Sequence, residues 1–128
     1  MPRPVPVEQA LVSYLPPLVG VGVSTRVPNP RPASFVRVTR IGGSVLSIGQ
    51  SRVRVLVECW GGTDAAAWAL CATAWDAVWD SDEVPEIRPG VEVMDADLEE
   101  PVNFPDPAAG SARYQFLASL VVNLKEES

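Results

Sequence analysis

The strongest structural signal in the chain is a series of apolar residues at every second position within residues 51–60, from Val53 to Cys59. Successive side chains of a β-strand point to opposite faces, so apolar residues at every second position predict a strand with one buried face. The expected inward residues are Val53, Val55, Val57 and Cys59, and the expected outward residues are Arg52, Arg54 and Glu58. A slip of one residue would place the charges in the core, so the register of this strand is strongly specified.

The same pattern predicts a partner strand over residues 35–41, with Val38 inward and Arg37 outward. Gly42-Gly43 and Gly49-Gln50 frame the hairpin that joins the two strands, because glycine suits tight turns. Three further strands are predicted over residues 21–26, 91–98 and 113–124. Thirteen prolines lie in clusters between these segments, as expected for connections.

Two helices are predicted. The first covers residues 5–14 or 5–15 and ends at Pro16-Pro17. The second covers residues 64–79, with Thr63 as its N-cap. Its residues Trp68, Cys71, Ala72, Trp75, Val78 and Trp79 recur at helical spacing and are predicted to pack in the core. Trp60 lies outside this stripe, beside Gly61-Gly62.

The resulting element order, α-β-β-β-α-β-β, predicts the fold class α+β. We expect a single mixed, mostly antiparallel β-sheet with two α-helices packed on one face, and a single domain over residues 1–128.

Composition excludes several classes of function. The chain has no histidine, which removes Ser-His and Cys-His nucleophile pairs and most zinc sites. A net charge of -6 argues against wrapping nucleic acid as the main task. Cys59 and Cys71 are expected to be buried, reduced thiols. Neither a signal peptide nor an apolar stretch of membrane length is present, so a cytoplasmic site of synthesis and no membrane partner are expected.

One row of carboxylates leaves several interpretations open. Asp95, Asp97 and Glu99 recur every second residue, so their side chains point the same way on a strand. Such a row could bind a divalent metal in a small hydrolase. Alternatively, it is a solvated strand face, a surface that meets arginines of a neighbouring subunit, or an acidic wall past which DNA slides. The metal site is the weaker interpretation, because no convincing partner ligands or general base accompany the row.

The outward arginines are the expected complement of that row. Arg37, Arg52 and Arg54 lie on outward faces of adjacent predicted strands, where solvation or pairing between subunits is favoured over nucleic-acid binding. The connection over residues 99–112 is long and rich in Pro, Asp and Gly, which is typical of a contact arm. Asp106 within it and Arg113 just after it complete the candidate interface residues.

The order of several short segments carries a resemblance that covers nearly the whole chain. They are Val27-Pro28 with Arg31-Pro32, residues 35–43, residues 53–60, the alanine-rich helix, and residues 106–116. In this order and spacing the chain resembles the tail terminator (tail completion) family of long-tailed bacteriophages.

The resemblance implies a structural protein and no enzyme, with no catalytic residues and no cofactor. It implies a hexameric ring of identical subunits in the virion, at the head-proximal end of the tail, assembled in the host cytoplasm. The ring would cap the tail tube protein, end tube polymerisation and dock the head-tail connector, while DNA passes through without specific binding. The alternatives are another head-tail connector or head-closure protein, and a small metal-dependent hydrolase using Asp95, Asp97 and Glu99.

Overall fold

The computed structural model describes residues 4–107 and 110–124. Three α-helices, a 3-10 helix and six strands follow one another along the chain. They are α1 (Val7–Tyr14), α2 (Pro16–Val19), β1 (Val23–Ser24), β2 (Phe35–Ser47), β3 (Gln50–Gly61), α3 (Asp64–Trp79), the 3-10 helix Asp80–Glu83, β4 (Val91–Leu98), β5 (Val102–Asn103) and β6 (Ala112–Leu124). None of the helices in the described ranges has the length and apolar character needed to cross a membrane.

The strands form one six-stranded sheet in the order β1-β2-β3-β6-β4, with β5 also paired to β6. Only the short β1–β2 pairing is parallel; β2–β3, β3–β6, β4–β6 and β5–β6 are antiparallel. The predicted fold class, a mixed and mostly antiparallel sheet with helices, is confirmed.

The sheet has one face covered by helices and one face that we call the open face. The four alternating residues of β3 that were predicted to point inward are fully buried in the main core. α1 adds Val7, Ala10 and Leu11 to the same cluster. The two longer helices are joined directly, since the Tyr14 hydroxyl donates a hydrogen bond to the Ala77 carbonyl at 2.9 Å.

Both cysteines are buried free thiols in this core, as predicted. A hydrogen bond with Cys71, together with burial, raises the pKa of the Cys59 thiol well above its ordinary value. The Cys59 thiol is therefore held in its neutral form, and both cysteines pack as small apolar side chains.

The hairpin differs from its prediction. β2 does not end before the glycine pair but continues through it to Ser47, and the turn lies at residues 48–49. The register shifts between Arg40 and Gly42, so a bulge at Ile41 directly precedes the glycine pair. At Gly43, φ is +139°, and an added Cβ would lie 2.0 Å from the Arg52 carbonyl oxygen. Only glycine fits there, so the sequence signal for a turn is in fact the signal for a bulge.

The N-terminal segments are shorter than predicted. α1 ends at Tyr14, but the prolines that stop it also begin the four-residue helix α2, because proline is well tolerated in a first helical turn. The strand expected over residues 21–26 is reduced to the two residues of β1. β1 pairs with only two residues of β2, Val36 and Arg37. Most of the outer edge of β2 is therefore not paired with β1.

The helix bounds of α3 are correct, but the core prediction is wrong for Trp68 and Trp79, whereas Trp75 is half-buried and packs against the core. The buried residues are Ala67, Cys71, Ala74, Ala77 and Val78. Trp68 and Trp79 are 47% and 48% exposed. The helix begins so close to β3 that a Cβ on Gly61 would lie 2.5 Å from the Ala67 backbone nitrogen. Such a narrow gap accepts alanine side chains, so the indoles lie on the outer flank of the helix.

Candidate functional site

The open face of the sheet carries most of the predicted interface residues. Asp95 and Asp97 pair in register with Val121 and Ser119 of β6, and these in turn pair with Arg52 and Arg54 of β3. Side chains that are paired across strands share a face, so the carboxylates and the two arginines point to the same side of the subunit. The two rows are separated by one strand, or about 9.5 Å between strand axes.

The positions of these strands limit how the carboxylates of one subunit could meet the arginines of another. The carboxylates lie on β4, which is an edge strand, and the arginines lie on β3, the central strand. All four side chains belong to exposed residues. Within residues 4–107 and 110–124, neither Arg52 nor Arg54 forms an ion pair. A contact between these carboxylates and arginines of two copies would therefore join an edge strand of one copy to the central strand of the other.

Glu58 organises the other end of the open face. It is 3% exposed and accepts hydrogen bonds at Oε1 from Arg37 Nε at 2.8 Å and at Oε2 from Arg113 Nη1 at 3.0 Å. Arg37 Nη2 also lies 2.7 Å from Oε1. Two guanidinium groups from β2 and β6 thus converge on one buried carboxylate of the central strand β3, as charge-assisted bonds that tie three strands together.

The buried indole of Trp60 lies beside this ion network. It stacks on Phe35, with ring centroids 4.5 Å apart and an interplanar angle of 11°. Three guanidinium groups lie over it, those of Arg31, Arg37 and Arg113, at 5.7, 5.6 and 5.2 Å from the ring centroid. These distances suit cation–π attraction. We call Phe35, Glu58, Trp60 and the three arginines the Trp60 cluster.

The long connection after β4 is anchored to this cluster. Asp106 lies 3.4 Å from both Arg31 Nη1 and Trp60 Nε1. Arg113 Nε donates a hydrogen bond to the Phe104 carbonyl at 2.8 Å, and the Phe104 amide donates to the Arg113 carbonyl at 2.8 Å. The predicted contact arm is therefore held to the open face, with the Phe104 ring 50% exposed.

The structure sorts the eight predicted interface residues into two groups. Arg37, Asp106 and Arg113 come together around Trp60. The other five are exposed: Arg52, Arg54, Asp95, Asp97 and Glu99.

Sequence reasoning missed Arg31, Phe35, Phe104 and the central role of Glu58. One signal was present, because Glu58 is the only carboxylate between Gln9 and Thr63, a segment with six arginines. A lone buried carboxylate among arginines on a strand indicates an ion network.

The acidic row does not form a metal site in the described structure. Residues that share a face of one strand are spaced about 6.7 Å apart, too far for three carboxylates to meet at one ion. Within residues 4–107 and 110–124, no group of three His, Cys, Asp or Glu side chains is arranged to hold a metal.

Comparison with known proteins adds the identity of the fold. The sequence matches no protein-family model and no curated protein. Its fold is shared with a virion chain. The matched solved structure is the virion of a native gene transfer agent (GTA) particle. The TM-score is 0.56, the sequence identity is 21%, and the match covers 91% of each chain. Nearly the whole chain therefore adopts a fold found in that particle.

Proposed function

We propose that this chain is a structural component of a phage-like virion and acts as a tail terminator. The supporting observation is the likeness over 91% of its length to a chain of the gene transfer agent virion. The resemblance of its ordered sequence segments to the tail terminator family supports the more specific role, which is not catalytic.

In this proposal, identical subunits close into a ring of six, by analogy with the family, through a head-to-tail contact between different surfaces. The ring caps the tube protein, ends its polymerisation and presents a docking surface to the head connector. The net charge of -6 suits a passage through which DNA moves without binding, because acidic surfaces repel phosphate.

A second role within the same particle is supported by the same likeness. The matched structure is named only as a virion, so a different head-tail connector or head-closure protein also fits. A metal-dependent hydrolase is not favoured by the spacing of Asp95, Asp97 and Glu99 along their strand.

Deletion of the gene in a particle-producing host separates the two structural roles. Without a terminator, electron microscopy should show tails of abnormal and variable length. Without a connector, tails should keep their normal uniform length but remain detached from filled heads. Complementation with the unaltered gene is the control. Uniform tails joined to heads in the deletion strain would contradict both roles.

A further inference from the structure

Charge is divided sharply along this chain. Residues 9–57 contain six arginines and no carboxylate. The segment that follows, residues 58–87, contains seven carboxylates and no lysine or arginine. Both segments lie within the described ranges and fold into one domain. A subunit with such an asymmetry has surfaces of opposite sign, and a basic surface of one copy is attracted to an acidic surface of another.

The basic segment ends in a hairpin with exposed aliphatic side chains, whose strand β3 is paired with β6 as far as the turn. We call residues 41–54, the end of β2 and the start of β3, the hairpin arm. Val45 is 60% exposed and Ile48 at the turn is 78% exposed; Ile41 and Leu46 are each 43% exposed. Arg52 and Arg54 are exposed on the same arm. Four exposed aliphatic side chains within eight residues are costly in water and are typical of a contact surface.

The acidic segment carries an aromatic surface. We call Trp68, Trp75 and Trp79, on the outer flank of α3, the tryptophan face. Trp75 and Trp79 stack with ring centroids 5.2 Å apart, and Trp68 lies edge-on against Tyr114 at 5.3 Å. A groove of about 190 Å³ runs between Trp68 and Trp75, and Asp76 and Glu100 are among the residues that line it.

We propose that the hairpin arm of one copy docks on the tryptophan face of a neighbouring copy. An aliphatic side chain of the arm would enter the groove, while Arg52 and Arg54 meet the carboxylates of Asp76 and Glu100 and the faces of the indoles. The contact joins two different surfaces, as a closed ring requires. The inference rests on the proposed function because it supplies the contact between ring subunits.

The neighbouring copy is favoured as the occupant because both complementary surfaces belong to this chain. The other acidic surface, on β4, is a poorer match, since residues 91–98 contain no aromatic side chain. The carboxylates of β4 could pair with the arginines of the hairpin arm. However, β4 offers no aromatic surface on which the aliphatic residues of the arm could pack.

Photo-cross-linking locates the contact directly. Ile48 is replaced by p-benzoylphenylalanine, which the exposure of this position should tolerate, and the purified protein is irradiated at high concentration. The expected adduct joins residue 48 of one copy to residues 64–79 of another. Adducts confined to residues 91–98, or the absence of adducts between copies, would overturn the inference.

A charge exchange tests the energetics. The arm variant carries Arg52→Glu and Arg54→Glu, and the face variant carries Asp76→Arg and Glu100→Arg. Each alone should self-associate at least about tenfold more weakly than the unaltered protein, since like charges then face each other. An equimolar mixture should recover assembly, because every contact in an alternating ring again joins opposite charges. Native mass spectrometry measures both.

The matched control is a variant with Asp95→Arg and Asp97→Arg, which should assemble normally. If this variant, and not the face variant, restores assembly with the arm variant, the docking site is β4 and the inference fails. The ring itself would still form in that case, so the proposed function would stand. Abnormal tails on gene deletion test that function independently.

Discussion

Replacement of Glu58 by alanine is expected to lower the free energy of unfolding by about 3 kcal/mol. The carboxylate is 3% exposed and holds Arg37 at 2.8 Å and Arg113 at 3.0 Å. Removal of one member of a buried ion pair typically costs about 3–5 kcal/mol, because the remaining charges stay desolvated without a partner. The Arg37 side chain keeps 32% of its surface in water, which places the loss near the lower end of that range.

Urea unfolding followed by tryptophan fluorescence measures this loss. A thermal scan should show a decrease in Tm of about 12 °C, at roughly 4 °C per kcal/mol for a chain of this size. Glu58→Gln keeps the shape and one acceptor oxygen, so it should cost about half as much. Arg52→Ala is the matched control on the same strand: its side chain is exposed, and its effect should stay within about 0.5 kcal/mol.

Two results would refute the reasoning. One is a loss below about 1 kcal/mol in Glu58→Ala, which would mean that water solvates the two guanidinium groups as well as the carboxylate does. The other is additivity in a double-mutant cycle of Glu58→Ala with Arg113→Ala. Residues in one network are expected to show a coupling energy of about 1–3 kcal/mol.

Two further predictions follow from the backbone and the core. Gly43→Ala should lower the unfolding free energy by at least about 2 kcal/mol in urea titration, because its Cβ would meet the Arg52 carbonyl. Gly42→Ala, also at positive φ but in open space, should cost clearly less, and equal losses would contradict the clash. The raised pKa of Cys59 means that the folded state holds its proton more tightly than the unfolded state, so stability should fall as pH rises above about 9. Thermal scans of Cys59→Ala should lack this component of the fall; an unchanged pH profile would contradict it.

Several elements could be predicted from the sequence because their signals are local. The bounds of α3 follow from the Thr63 cap, whose hydroxyl accepts a hydrogen bond from the Ala66 amide at 3.1 Å, and from a long helical period. The bounds of β4 follow from the break at Pro89-Gly90. The burial of alternate residues in β3 follows from a strict period of two.

The orientation of α3 could not be predicted, because the helix has two apolar stripes. One stripe is made of alanines with Cys71 and Val78, and the other is made of tryptophans. Transfer energies favour burial of the larger side chains. Which stripe faces the sheet is decided by the distance between helix and strand, and that distance is set by the close approach of Gly61 to Ala67. Such a contact between separate elements leaves no periodic signal.

The arginines of this chain fall into two groups, which differ in whether their side chains are bound within the subunit. Arg37 and Arg113 are bound to Glu58, and Arg40 donates a hydrogen bond to the Val5 carbonyl. Arg52 and Arg54 form no ion pair within the described ranges. Arginines that stabilise the fold are thus separate from arginines that are available to another molecule. Substitution of the first group should lower the Tm of the subunit, whereas substitution of Arg52 and Arg54 should weaken assembly while leaving the Tm of the isolated subunit unchanged.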